Sequence, residues 1–278
     1  MRNLNHLSEI FKLYDTYIID LWGVMHNGIS LNSKAIEVIE NLNNNSKKII
    51  FLSNAPRPSA KVIEFLKKLK MEEKFLSKIV TSGEVAMQAI NNNRFGKKFY
   101  HLGPARDNSI FERVQENKTS LDKCDFILCT GFFDEQENDL EYYKTLLEDY
   151  TNKKLMCTNP DLVVHRGNIE ELCAGSIAKT FESIGGEVVY YGKPYKEVYD
   201  MCFNQGEKVL AIGDNLRTDI KGANNLNVDS LFIYNGVHRN EFKNDKELSM
   251  LLKKYNVKTN YYQKELKWWN ENLSKLKN

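Results

Sequence analysis

Short apolar runs that end in a polar residue alternate with amphipathic stretches along nearly the whole chain, and this alternation limits the fold most tightly. Tyr17-Ile18-Ile19 runs into Asp20 and then into a turn punctuated by Gly23 and Gly28. Runs rich in β-branched and aromatic residues read as buried strands. Ala35, Ile36, Val38, Ile39 and Leu42 follow at helical spacing, behind a cap at Asn32 or Ser33. Lys48 to Ser53 is a second strand, and Pro56 and Pro58 pre-set the start of a helix that runs to about Lys70. Residues 79–82 form a third strand and Glu84 to Ile90 a further helix. Strands and helices in this order build an α/β protein with a doubly wound parallel sheet.

The Asn-rich, basic stretch from Asn91 to Lys98 reads as a linker and marks a domain boundary. Beyond it lies a smaller α/β unit. Its strands are expected at 98–102, 126–129 and 154–158, with helices near 110–115, 140–150 and 174–184, and Gly185-Gly186 closes it. The first alternation then resumes with strands at 188–191, 208–212 and 230–234 and helices at 195–204 and 219–225. The expected organisation is a discontinuous core of residues 1–94 and 188–278, interrupted by an inserted domain of residues 95–187.

A chain of 278 residues is long enough for one large or two modest cores. A composition 42% hydrophobic and 27% charged is that of an ordinary soluble protein, and a net charge of +2 gives no reason to expect nucleic acid or an anionic membrane as partner. No apolar run reaches membrane-spanning length, and Arg2, Glu9 and Lys12 interrupt any signal-like segment. The five cysteines lack CxxC spacing and read as reduced, buried thiols of a cytoplasmic protein. The five histidines show no HxxxH pairing, which argues against zinc. Leu266, Trp268, Trp269, Leu273 and Leu276 recur at helical intervals in the C-terminal tail, as expected of a helix docked on the core.

Four strand ends or turns carry complementary chemistry. Asp20 ends the first strand, where open α/β sheets keep their ligands. Ser53-Asn54 places a hydroxyl and an amide ahead of a helix, which suits an anion, although alone it is an ordinary helix cap. Gly192-Lys193-Pro194 brings a cation to a helix start, although alone it is an ordinary turn. Gly213-Asp214-Asn215-Leu216-Arg217-Thr218-Asp219 sets two carboxylates at a strand-to-helix turn, where they repel unless a cation joins them. A carboxylate nucleophile, a hydroxyl, a lysine and a second carboxylate group are the parts of a metal-assisted phosphoryl-transfer site.

The order D-x-x-G-V, S-N, G-K-P, G-D-N-x-x-T-D resembles the haloacid dehalogenase superfamily, and specifically subfamily IIA, the NagD-like sugar and nitrophenyl phosphatases. Thr158-Asn159-Pro160-Asp161 and Ala174-Gly175-Ser176-Ile177-Ala178 resemble that subfamily's signature between cap and core. The resemblance implies a Rossmann-like core with an inserted α/β cap of C2 type, Mg²⁺ as cofactor and a small phosphorylated metabolite as substrate. It implies that Asp20 is the nucleophile and a metal ligand, Asp214 a second ligand, and Asp219 a ligand or one layer behind. Ser53, the Asn54 backbone and Lys193 would hold phosphate, and Asn159, Asp161, His165 and Arg166 of the cap would meet the substrate. Members of the subfamily are often homodimers through the cap.

One residue departs from the pattern. Two positions after the nucleophile, where the family usually has a second Asp as general acid and base, stands Trp22. Its backbone carbonyl can still face a metal, but its side chain cannot transfer the proton, a loss typically worth about 10²–10⁴-fold. His26, in the same turn, is the candidate substitute because an imidazole titrates near neutrality. Three readings follow: a working phosphatase favouring good leaving groups, a catalytically weak phospho-ligand binding or regulatory protein, and hydrolysis at carbon. Asp214 and Asp219 argue against the last, which needs no metal.

Overall fold

The computed structural model describes residues 1–269. Ahead of the insertion come strands β1 (Arg2–Asn3), β2 (Thr16–Ile19), β3 (Lys48–Ser53) and β4 (Ile79–Thr81). The insertion contributes β5 (Phe99–Leu102), β6 (Phe126–Cys129), β7 (Lys154–Cys157), β8 (Val163–Arg166), β9 (Ile169–Leu172) and β10 (Glu187–Tyr190). The chain then adds β11 (Val209–Gly213), β12 (Asp229–Ile233) and β13 (Tyr261–Gln263). The core sheet is parallel throughout, in the order β1-β13-β12-β11-β2-β3-β4.

From β2 the chain winds outward through β3 and β4, and from β11 it winds the other way through β12 and β13. The topological switch therefore lies between β2 and β11, where a crevice opens outside the carboxyl ends. Asp20 follows β2 directly and Asp214 follows β11, so the strand order alone brings the two carboxylates to the crevice.

Helices α1 (Ser33–Asn44), α2 (Ser59–Lys68) and α3 (Ser82–Asn91) connect the first strands. The Asn32 side chain accepts from the Lys34 N–H and so caps α1, which buries Ala35, Val38, Ile39 and Leu42. Residues 79–81 are strand, but Ser82 already belongs to α3, because the Thr81 hydroxyl caps that helix by accepting from the Glu84 N–H.

The insertion has its own parallel sheet, in the order β10-β7-β6-β5, flanked by α4 (Leu140–Leu147) and α5 (Ala174–Ser183). This corrects the expected boundary: β10 pairs with β7 along Glu187–Tyr190, so the inserted sheet continues past residue 187. Val188 to Tyr190 reads as a strand in either domain, and only its pairing assigns it. The antiparallel hairpin β8–β9, which sequence patterning did not suggest, closes the unit over the crevice. The region near 110–115 is irregular 3₁₀ turns spanning Ala105–Asn117 rather than one helix.

Beyond the insertion, the expected helix at 195–204 is reduced to α6 (Lys196–Tyr199). The helix at 219–225 is a π-turn over Leu216–Ile220 followed by α7 (Lys221–Asn225), and α8 (Asp245–Lys254) precedes β13. Leu266 is buried and Trp268 packs on the core through Phe11, with ring centroids 4.9 Å apart. These residues are not helical as far as Trp269, and the rest of the expected tail helix lies outside the described residues. All five cysteines are buried and unpaired. No described helix is long and apolar enough to cross a membrane.

Candidate active site

Asp20, Asp214 and Asp219 meet at the switch point, each buried, with one carboxylate oxygen apiece within 4.8 Å of the others. Lys193 lies among them. Its Nζ donates to Asp20 Oδ1 at 2.5 Å, to Asp219 Oδ1 at 2.7 Å and to the Leu52 carbonyl at 3.0 Å. A buried ammonium is strongly disfavoured unless it is paired and hydrogen-bonded, and here the pairing is complete. Lys193 itself is held by a reciprocal amide pair: its N–H donates to Asn54 Oδ1 at 2.7 Å, and Asn54 Nδ2 donates back to its carbonyl at 3.2 Å. Asn54 thus locks the GKP turn against the end of β3.

The acidic loops are braced by backbone donors. Asp214 Oδ2 accepts from the Val237 N–H at 2.8 Å, and Asp219 Oδ2 accepts from the Asn215 N–H at 3.1 Å. Gly23 passes beneath Asp214 with φ of +87°, and a Cβ there would stand 2.1 Å from Asp214 Oδ2. Gly23→Ala is therefore expected to strain the turn and displace Asp214. The stability cost should be about 1–3 kcal/mol, read by urea denaturation, with divalent-cation affinity falling in parallel. An unchanged affinity would show that the turn does not govern Asp214.

Burial raises the Asp20 carboxyl above the usual carboxylate range; the charge of Asp219 adds to this, while Lys193 opposes it. Burial also raises Asp214, with the charges of Asp20 and Asp219 acting in the same direction. Burial would lower Lys193, but the surrounding carboxylates outweigh it and hold the ammonium charged. One cation among three buried carboxylates leaves uncompensated negative charge. A hard divalent ion would supply the missing positive charge, and all-oxygen donors suit Mg²⁺.

The triad opens into a cavity of about 210 Å³ between core and cap. Asp20, Trp22, Ser53, Asn54, Lys193, Asp214 and Asp219 line it from the core, and Asn159, Asp161 and Arg166 from the cap. Asp161 Oδ1 accepts from Asn215 Nδ2 at 3.0 Å and Thr218 Oγ1 at 3.1 Å, tying the cap loop to the acidic turn. Sequence reasoning missed Arg57 and Asp107, which pair across the cavity from core to cap. Arg57 lies only three residues beyond Asn54, so its position in the chain was the available signal. The Val237 N–H has no sequence signature at all.

Two expected participants stand elsewhere. His26 is 4% exposed and does not line the cavity. Its Nδ1 accepts from the Gly28 N–H at 3.1 Å, and its ring packs edge-on against Trp22 and Phe65. Burial and the Arg166 charge lower its pKa to about 4, so the ring is neutral and braces the turn rather than exchanging protons. His165 also does not line the cavity; its Nε2 lies 3.6 Å from Glu170, and its carbonyl, not its ring, reaches the core. Of two further arginines of the cap, Arg113 is exposed and outside the cavity, whereas Arg106 lines it and pairs with Asp134.

The core is doubly wound, with Asp20, Lys193, Asp214 and Asp219 gathered at its switch point and an inserted cap above them. A family model described as haloacid dehalogenase-like hydrolase matches residues 17–115, and a second model of haloacid dehalogenase-like hydrolases matches residues 190–254. The chain belongs to the haloacid dehalogenase-like hydrolases and, with its cap, to their subfamily IIA.

It is 25% identical over 251 residues to the 5′-nucleotidase YutF of Bacillus subtilis, covering 84% of this chain and 92% of that one. It is 23% identical over 243 residues to an acid sugar phosphatase of Staphylococcus epidermidis, covering 85% and 93%. A haloacid dehalogenase-like hydrolase from Brucella suis superposes with a TM-score of 0.83 at 26% identity, over 95% of this chain and 99% of that one. The p-nitrophenyl phosphatase of Archaeoglobus fulgidus shares the fold, with a TM-score of 0.69 at 19% identity over 91% and 96%.

Proposed function

We propose that this protein is a Mg²⁺-dependent phosphatase that hydrolyses a small phosphorylated metabolite through an aspartyl-phosphate on Asp20. The carrying observation is the Lys193 ammonium bound to both Asp20 and Asp219 inside a buried acidic triad at the floor of a capped cavity. The relatives named for phosphatase and nucleotidase activity support the same reading.

Asp20, Asp214, the Trp22 carbonyl and Asp219 are the residues that would hold the metal. The bound ion would neutralise charge on the phosphoryl oxygens and on the carboxylates themselves. Lys193 and the Ser53–Asn54 turn orient the phosphate over Asp20 and offset its charge. An Asp20 oxygen then attacks phosphorus while the ester P–O bond breaks, and the leaving oxygen departs as the alkoxide and takes its proton from solvent water. Water next attacks the aspartyl-phosphate, restoring the carboxylate and releasing phosphate.

Trp22 supplies no proton to the departing oxygen, because an indole N–H does not ionise near neutral pH, and here it is donated to the His165 carbonyl. Phosphates with acidic leaving groups, such as aryl and acyl phosphates, therefore lose least. The same observation favours a second reading, a phospho-ligand binding or regulatory protein with weak turnover. Phosphate release from p-nitrophenyl phosphate, with Mg²⁺ and with a chelator, separates the two. The phosphatase reading expects release that stops on chelation; saturable ligand binding without release would favour the second.

Metal binding should also depend on pH. The raised Asp20 and Asp214 carboxyls keep protons that a divalent ion must displace. Mg²⁺ affinity is therefore expected to tighten as pH rises from 5.5 to 8, with proton release visible by calorimetry in buffers of different ionisation enthalpy. Affinity that is flat across this range would contradict protons held on Asp20 and Asp214.

A further inference from the structure

The side chain of Trp22 does not point idly into the cavity. Its Nε1 donates to the carbonyl of His165 in β8 at 2.9 Å, and the Arg166 guanidinium lies 5.1 Å from the centre of its ring. Arg166 is itself steadied by Nε donating to Glu171 Oε1 across the hairpin at 2.7 Å. The core makes room for this arrangement at Gly28, with φ of +84°, where a Cβ would stand 2.6 Å from Trp22 Cζ2.

The hairpin tip is tied to the core twice more. The Gly167 N–H donates to the Asn27 carbonyl at 3.0 Å, and Arg239 Nη1 donates to the Gly167 carbonyl at 3.4 Å. Trp22 and Asn27 belong to the turn that follows the nucleophile. Arg239 sits two residues beyond Val237, whose N–H holds Asp214. The hairpin is therefore docked on the turn that follows Asp20 and on the loop after β12 that braces Asp214. It also presents Val163, Val164, Arg166, Glu171 and Leu172 to the cavity.

Building on the phosphatase reading, we propose that Trp22 and Arg239 are positioning residues that fix the β8–β9 hairpin as a rigid wall and so set the size of leaving group the site accepts. Loss of about 1.4 kcal/mol is a tenfold change in the population of an undocked hairpin. With the wall loosened, a compact ester and a bulky one are no longer told apart by fit, since pockets discriminate by small differences in contact.

The test uses Trp22→Phe, which keeps an aromatic ring beneath Arg166 but loses the N–H, and Arg239→Met, which leaves every cavity residue in place. Two readouts are taken: amide hydrogen exchange across residues 163–172, and the kcat/KM ratio for ethyl phosphate against 3-phenylpropyl phosphate. These esters share a primary alkyl leaving oxygen and differ in bulk. The expected result is exchange faster by about tenfold in the hairpin and a ratio that moves about tenfold towards unity.

Loss of turnover that is equal for both esters, with the ratio and the exchange at wild-type values, overturns the proposal. Either variant that leaves both readouts unchanged removes its residue from the assignment. If the wild-type protein releases no phosphate, the phosphatase reading fails separately. The same ratio is then read from the dissociation constants of the two esters by calorimetry, with the same expected and overturning results.

Discussion

Replacing Lys193 with Met is expected to cut phosphate release by about 10²–10³-fold and to destabilise the metal-free protein by about 3–5 kcal/mol. Both effects have one cause. Lys193 is 3% exposed and is the ammonium bound to Asp20 and Asp219, so its removal leaves buried carboxylates facing one another with no nearby cation. The Met side chain fills a similar volume, which keeps the loss electrostatic rather than a cavity effect. Mg²⁺ should recover part of the stability, because it supplies charge to the same carboxylates, but it should not recover turnover, because the phosphate has lost its ammonium partner. Urea denaturation with and without Mg²⁺ reads the first effect, and phosphate release the second. A variant as stable as wild type without metal would mean that the Lys193 charge does not offset these carboxylates in the folded protein.

Asp20→Asn is expected to act with opposite signs on activity and stability. Turnover should fall on the order of 10⁴–10⁶-fold, as when a covalent nucleophile is removed. The metal-free protein should become more stable, since a carboxylate whose burial and Asp219 neighbour both disfavour its charge is replaced by a neutral amide of the same shape. Active sites commonly hold such strain, and its relief usually costs function. A raised thermal midpoint together with lost activity is the expected pair. Retained activity would remove Asp20 from the nucleophile's place.

Asp20, Ser53-Asn54 and Asp214 were legible in the chain because each lies at or next to the end of an apolar core strand, and parallel strands deliver such ends to one edge; Lys193, three residues past β10, and Asp219, six past β11, were legible only through their turn motifs. The pairing of β10 was not legible. Val188, Val189 and Tyr190 are compatible with either sheet, and strand register is a long-range property. The β8–β9 hairpin escaped notice because His165, Arg166, Glu170 and Glu171 break the apolar pattern, and its Gly167-Asn168 turn lacks strong strands on either side. His26 illustrates a different limit: sequence spacing placed it beside the nucleophile, but the turn folds its ring inward against Phe65. Trp22 was legible as a departure from the family pattern, whereas its partner, a backbone carbonyl 143 residues away, was not.

The most direct test of the account is to trap the covalent intermediate. Wild-type protein would be mixed with Mg²⁺ and a ³²P-labelled aryl phosphate, quenched in acid within the first turnover, digested and mapped by mass spectrometry. The account predicts label on a single peptide, at Asp20, that is discharged by hydroxylamine and absent from Asp20→Asn. Phosphate release with no labelled aspartate, or with label on another residue, would contradict it.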